Sequence, residues 1–372
     1  MDDKAWMRRA IALARNGMGW TAPNPMVGAV IVKDGRMIGE GWHRRCGDWH
    51  AERNALAALT EPAQGATMYV TLEPCCHQGR TPPCTEAILE HGVAKVVIGS
   101  RDPNPLVSGK GAALLRAHGV EVVEDFIRPE CDELNPEFFH FITTGRPYVV
   151  MKYAMTLDGK IACRTGASQW ITGETARAHV HRLRGRYAAI MAGIGTVLAD
   201  DPLLNCRLPE AHQPLRIILD SRLRLPPDCR LARTAHDYPT LIACGTADPI
   251  KARILRELGL EVVELPAGDG RVDLTALMRL LGERQISSVL IEGGGAVHEA
   301  ALRAGVVDHI CAYIAPMLIG GETAKTPVEG LGVATPDEGA RLKNCRITQL
   351  AEDILLEYDV ERGFAADVHR DS

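Results

Sequence analysis

Three short strings near the start of the chain carry groups that can hold a metal: His50-Ala51-Glu52, Glu73-Pro74-Cys75 and Pro83-Cys84. One imidazole and two thiolates make an N/S donor set suited to zinc. Three protein ligands leave a fourth position open for water, as a catalytic zinc requires. Glu52 stands two residues after His50, and in the first turn of a helix both can converge on one site. There Glu52 would serve as general acid/base, taking a proton from zinc-bound water and returning protons to a ring and a leaving amine. Zinc deaminases of nucleobases pair H-x-E with P-C-x-x-C. Here eight residues separate Cys75 from Cys84, so the loop is longer. The competing reading is a closed structural zinc with Cys46, Cys76 or His77 as fourth ligand. H-x-E with a Pro-Cys at a strand end matches paired Cys knuckles poorly.

The second half carries glycine turns. Gly193-Ile194-Gly195-Thr196 follows a strand, but Leu198 stands where a dinucleotide fingerprint would place its third glycine. Glu292-Gly293-Gly294-Gly295 ends a strand and opens a helix near Ala296. Backbone N–H groups in such turns can approach a pyrophosphate. The plainer reading is two tight strand-to-helix turns. Asp220-Ser221-Arg222, with Arg224 close by, offers a hydroxyl and guanidinium that could hold a 2′-phosphate and so favour NADPH. A solvated turn is the alternative there.

These groups need a frame. Residues 4–16 place Trp6, Ala10 and Leu13 beside Met7, Ile11 and Ala14 at helical spacing. Met26–Lys33 and Arg36–His43 flank Asp34-Gly35 as a hairpin. A helix at 50–59, a strand at 67–72, a helix at 84–90, a strand at 94–100 and one more helix–strand pair ending near Glu124 follow. Strands alternating with helices predict a largely parallel α/β unit. Arg128–Arg146, with Pro129, Pro136 and Gly145, reads as a connector, and Phe138, Phe139 and Phe141 are expected to pack between domains. A second α/β unit is expected from Tyr148. Its strands are predicted at 149–156, 187–192, 215–220, 240–244, 261–264 and 288–292, with a helix at 174–184. Residues 363–372 are polar and expected to fray.

The chain has 372 residues, 42 Lys+Arg against 47 Asp+Glu, 46% hydrophobic and 24% charged residues. That composition excludes disorder, collagen and coiled coil. A net charge of −5 argues against a dominant nucleic-acid binder. Apolar runs such as Met26–Val32 are too short to span a bilayer. The charged start, Met1-Asp2-Asp3-Lys4, does not read as a signal peptide. A cytoplasmic location is expected, with the 11 cysteines as thiols or metal ligands.

The run Thr71-Leu72-Glu73-Pro74-Cys75-Cys76-His77-Gln78-Gly79-Arg80-Thr81-Pro82-Pro83-Cys84 resembles the signature of the riboflavin-biosynthesis pyrimidine deaminases, as does Pro23–Val30. Cys76 departs from it, since that family is expected to carry Ser there. In that family the deaminase is commonly fused to a C-terminal reductase similar in fold to dihydrofolate reductase. The second half resembles that reductase at Met151–Ala162, Gly193–Pro202 and Glu292–Gly295. The resemblance implies a cytidine-deaminase-like α/β sandwich at 1–145 and a dihydrofolate-reductase-like α/β domain at 146–372. It also accounts for the missing dinucleotide fingerprint.

The substrate it implies is 2,5-diamino-6-(5-phosphoribosylamino)pyrimidin-4(3H)-one. Zinc-dependent deamination at C2 comes first. NADPH reduction of the ribosyl group to ribityl follows, giving 5-amino-6-(5-phosphoribitylamino)uracil. Asn24, His77 and Arg80 are expected around the zinc, Arg80 facing the phosphate. In the reductase half the resemblance implies cofactor contacts at Ala154, Trp170, Thr196, Asp200, Ser221 and a loop formed by Gly294, Gly295, Ala296, Val297, His298, Glu299 and Ala300. It implies substrate contacts at Ser168, Arg184, Leu204, Arg207 and Glu292. Lys152 and Asp200 are candidates for a polarising or proton-donating group, though Lys152 could equally bind phosphate. Family habit implies a homo-oligomer, as a dimer. Two other readings stay open: a nucleoside or nucleic-acid deaminase with a non-catalytic companion domain, and a structural-zinc scaffold that binds a partner.

Overall fold

A computed structural model describes residues 2–78, 82–104, 107–362 and 364. The chain divides into two compact units, Met1–Gly145 and Arg146–Ser372.

In the first unit, α1 (Asp3–Ala14) starts where the Asp2 carboxylate accepts the Ala5 N–H at 2.8 Å. A hairpin, β1 (Gly28–Lys33) and β2 (Arg36–Trp42), follows. The chain continues through α2 (Ala51–Ala57), β3 (Thr67–Leu72), α3 (Cys84–Glu90), β4 (Lys95–Ser100), α4 (Lys110–Ala117) and β5 (Glu121–Val123). The sheet order is β2-β1-β3-β4-β5, antiparallel up to β3 and parallel beyond it. Alternate residues face opposite layers. Ala29, Ile31, Met68, Val70, Val96 and Ile98 pack under α2, α3 and α4. Val30, Val32, Tyr69 and Val97 pack under α1. The helix lies so close that a Cβ on Gly28 would meet the Ala10 carbonyl oxygen at 2.0 Å.

The expected connector is helical instead: α5 (Arg128–Asp132) and α6 (Pro136–Thr144). Pro129 and Pro136 stand in the first turns, where a missing N–H costs no helical hydrogen bond. Phe138 belongs to the core of the first unit, with Phe139 and Ile142 packed against it. These two rings have a hydrophobic home inside the first unit, and Phe141 is buried on the same helix.

The second unit holds β6 (Tyr148–Thr156), α7 (Glu174–Arg186), β7 (Ala189–Gly193), α8 (Ile194–Asp200), β8 (Leu215–Leu219), α9 (Arg230–Arg233), β9 (Thr240–Cys244) and α10 (Pro249–Glu257). Then come β10 (Glu261–Glu264), α11 (Leu274–Glu283), β11 (Ser288–Ile291), α12 (Gly295–Arg303), β12 (His309–Ala315), β13 (Arg341–Leu350) and β14 (Asp353–Arg362). The order is β10-β9-β8-β7-β11-β6-β12-β14-β13, parallel up to β12 and antiparallel after it. The last three strands escaped the sequence reading. β13 is polar and exposed along nearly its whole length, so no alternation marks it. Residues 363 and 365–372, where fraying was expected, lie outside the described residues. Among the described residues no helix is long and apolar enough to cross a membrane.

β7 and β11 are neighbours whose chains leave toward opposite faces. Ile194 and Val197 of α8 pack on one side of the sheet. Ala301 and Leu302 of α12 pack on the other. Such a divergence leaves a crevice at the carboxyl ends of the strands, the usual place for a ligand in an open α/β sheet.

Candidate active sites

In the first unit, His50 is the N-cap of α2, Cys75 follows β3, and Cys84 opens α3. Their donor atoms lie within 4.8 Å of one another. His50 Nδ1 is 3.5 Å from Cys75 Sγ and 3.4 Å from Cys84 Sγ. A tetrahedral zinc with ordinary bond lengths holds such N and S donors about 3.6 Å apart, so the set fits that ion. Cys46, Cys76 and His77 do not join the cluster among the described residues. The open three-ligand arrangement is therefore favoured over a closed one.

The two thiols are pushed apart: the hydrogen bond to Cys75, with burial, holds Cys84 well above an ordinary thiol. Hydrogen bonds from the Cys84 thiol and His50, against the opposing cost of burial, hold Cys75 well below an ordinary thiol. Glu52 is 3% exposed on the first turn of α2. Burial and the neighbouring Cys75 thiolate raise its acid strength threshold above the usual carboxylate range. A raised pKa makes the carboxyl readier to take up a proton, which general acid/base work needs.

Sequence reasoning missed the groups that hold these side chains. The buried Glu73 carboxylate accepts from the N–H groups of Gly109 and Ala112 at 2.9 and 3.2 Å, tying the Glu-Pro-Cys turn to the start of α4. Arg53 donates to the carbonyls of Pro82 and Pro83 at 3.1 and 2.8 Å, which fixes the approach to Cys84. Neither set of partners is near in sequence, and backbone donors and acceptors leave no signature. Asn24 lies behind the donor set: its Nδ2 donates to His43 Nε2 at 3.3 Å, and the His43 ring stands edge-on to His50 with centroids 5.3 Å apart. His77 Nδ1 is buried without a hydrogen-bond partner. Arg80 lies outside the described residues.

In the second unit a cavity of about 810 Å³ opens at the strand divergence. Of the expected cofactor contacts, Ala154, Trp170, Thr196, Asp200, Gly294, Ala296 and Val297 line it. So do Lys152 and all five expected substrate contacts: Ser168, Arg184, Leu204, Arg207 and Glu292. Ser221, Gly295, His298, Glu299 and Ala300 are not on its wall. The expected 294–300 loop is the start of α12, so only part of it can face the cavity. Buried His298 points away and bonds the Pro327 carbonyl at 2.7 Å. Glu299 pairs with Arg303. A Cβ on Gly295 would strike Glu329 Cγ at 2.4 Å. Gly294 has open space around it, and its backbone can meet a ligand closely.

Arg184 is not a free phosphate ligand. Its Nε and Nη2 bond both oxygens of Glu292, and Lys152 Nζ stands 3.6 Å from the same carboxylate. Burial lowers the Lys152 pKa, which eases proton release. Burial raises the Asp200 pKa.

Residues 1–100 match the cytidine and deoxycytidylate deaminase zinc-binding region, and residues 147–356 match the RibD C-terminal domain. The riboflavin biosynthesis protein RibD of Actinobacillus pleuropneumoniae is 55% identical over 97% of this chain and 96% of its own. That of Bacillus amyloliquefaciens is 42% identical over 95% of each. Among solved structures, RibD of Acinetobacter baumannii superposes with a TM-score of 0.85 at 40% identity, covering 96% of this chain and 98% of that one. The deaminase/reductase of Thermotoga maritima does so at 0.83 and 38% identity, covering 96% and 98%.

Proposed function

This chain belongs to the RibD family of bifunctional riboflavin-biosynthesis enzymes, and from that premise we propose which residues carry each of its two reactions. The first is deamination of 2,5-diamino-6-(5-phosphoribosylamino)pyrimidin-4(3H)-one. The second is reduction of the ribosyl group to ribityl, giving 5-amino-6-(5-phosphoribitylamino)uracil.

The convergence of His50, Cys75 and Cys84 beside buried Glu52 carries the deaminase assignment. Zinc bound there supplies Lewis acidity that brings the pKa of water to about 7. Glu52 accepts the proton released as water adds to C2. It gives that proton to the ring nitrogen, then takes the second one from the new C2 hydroxyl and gives it to the amine, which departs as ammonia. His77, with a buried and unpartnered ring nitrogen, and Asn24, through His43, shape the pyrimidine pocket. Arg80 meets the phosphate.

The cavity of the second unit takes the nicotinamide cofactor and the deaminated intermediate. Bound there, a nicotinamide cofactor would provide the hydride that reduces the C=N bond left at the sugar C1 by ring opening. Arg184 and Lys152 hold Glu292 ionised, and Glu292 orients the ribosyl chain. Lys152 returns the proton to nitrogen, with Asp200 positioning the nicotinamide ribose. Gly193 pairs with Leu219, so the Ser221-Arg222 turn lies at the end of the adjacent strand. That turn receives a 2′-phosphate and makes NADPH the preferred donor.

β13 is a ten-residue edge strand, and among the described residues no strand pairs with its outer side. Such an edge pairs readily with another strand, and a second copy of this chain is its partner in a homodimer. All 11 cysteines are unpaired, which suits the cytoplasm.

Product mass from the diaminopyrimidinone ribosyl phosphate tests the reading. Deaminated product alone without NADPH, and deaminated plus reduced product with it, is expected. An unchanged substrate under both conditions, in folded zinc-loaded protein, would discard it.

A further inference from the structure

His181 belongs to none of the motifs above, yet it faces the same cavity. It stands on α7 three residues before Arg184, so the two side chains share a helix face. The backbone N–H of Arg207 donates to His181 Nδ1 at 3.3 Å. A neutral ring that accepts at Nδ1 carries its proton on Nε2. Burial and the charges of Arg184 and Arg207 favour that neutral form. The Cys206 thiol also donates to the His181 carbonyl at 3.1 Å. The 206–207 backbone is therefore clasped to α7 at two adjacent points.

The cations on this wall differ in their commitments. Arg184 gives two donors to Glu292 and a third to the Asn205 carbonyl. Lys152 faces the same carboxylate. Arg207 is anchored through its backbone while its exposed side chain reaches the cavity. Beside α7, the Arg207 guanidinium and the His181 Nε2–H are donors that this ion-pair network leaves available to an anion.

We propose that His181, clasped to the expected substrate contact Arg207, is a specificity-determining donor through Nε2 to the substrate's 5-phosphate in the reduction step. The proposal rests on the assignment of this cavity to the reductase. A guanidinium supplies the charge, and a neutral imidazole adds a directed N–H without a further positive charge to desolvate. The clasp to Arg207 sets the ring's orientation before substrate arrives.

The test uses the full zinc-loaded chain, NADPH, and the deaminated intermediate with and without its phosphate. A hydrogen bond to a charged group is worth about tenfold or more in affinity. His181→Ala is expected to raise KM for the phosphorylated intermediate about tenfold, with kcat within about twofold. KM for the dephosphorylated form should stay near wild type. His181→Gln keeps an N–H donor and should recover most of the loss. Unchanged deamination by the same preparations reports intact folding. An unchanged KM in His181→Ala, or an equal loss on both substrates, would overturn the subsite while leaving the reductase assignment in place. A wild-type chain that reduces neither substrate would remove both.

Discussion

The Glu292 carboxylate and the Arg184 guanidinium meet through two parallel hydrogen bonds of 2.7 and 2.9 Å, joining residues 108 apart in the chain. Burial alone would raise the Glu292 pKa. The charges of Arg184 and Lys152 outweigh it and hold the carboxyl at about 2, against an ordinary 4.5. A folded pKa below the unfolded one stabilises above the unfolded value, and the gain is lost as pH falls through the folded one. The contribution is about 3 kcal/mol near neutrality. Glu292→Gln should therefore lower the urea midpoint strongly at pH 7, with the gap to wild type narrowing as pH falls from 4.5 toward 2. A gap of constant size over that range would count against the pair as its source.

Glu52→Gln keeps the volume and loses the proton shuttle. Deamination should fall by at least about 100-fold, the usual scale of general acid/base catalysis. Zinc content by elemental analysis should remain at one per chain, and reduction of supplied intermediate should continue. Full turnover by this variant would remove Glu52 from the chemistry.

Cys84→Ser attacks the metal instead. Serine is a poor zinc ligand at neutral pH, so zinc content and deamination should fall together. NADPH-dependent reduction of the deaminated intermediate should persist at wild-type rate. Loss of reduction as well, in protein with native circular dichroism, would show that the two activities are not separable.

Arg216 is fully buried on β8 without a carboxylate partner among the described residues. Its donors reach Thr240 Oγ1, Thr234 Oγ1 and the carbonyls of Leu203, Leu231 and Tyr238. Arg216→Met would strand those acceptors and should cost about 3 kcal/mol or more. A Lys replacement should recover little, because one ammonium cannot fill a five-donor fork. Thermal melts of both variants test this, and a Met variant as stable as wild type would contradict it. Leu203 adjoins Leu204 on the cavity wall, so KM for the reduction should rise in parallel.

Apart from β12, the parallel part of each sheet was readable because buried strands and helices alternate in apolar pattern. β13 was not, because a strand exposed on nearly every residue carries no burial period. α5 and α6 were read as a connector because proline looks like a breaker until its place in the first turn is known. The metal donors were legible for a local reason: H-x-E and Pro-Cys keep their chemistry in short strings. Glu73, Arg53 and His181 were not legible as site residues. Their partners are backbone groups 25 or more positions away, and only the folded chain brings those together.

Cys75 is held from three sides by hydrogen bonds of the chain itself. Glu73 ties down the turn before it, its carbonyl accepts the Thr85 N–H at 3.2 Å, and the Cys84 N–H reaches its sulfur at 3.4 Å. The work of placing this sulfur is thus shared between the chain's own hydrogen bonds and the metal, so Thr85 and Glu73 belong to the upkeep of the donor set although neither offers it a ligand atom.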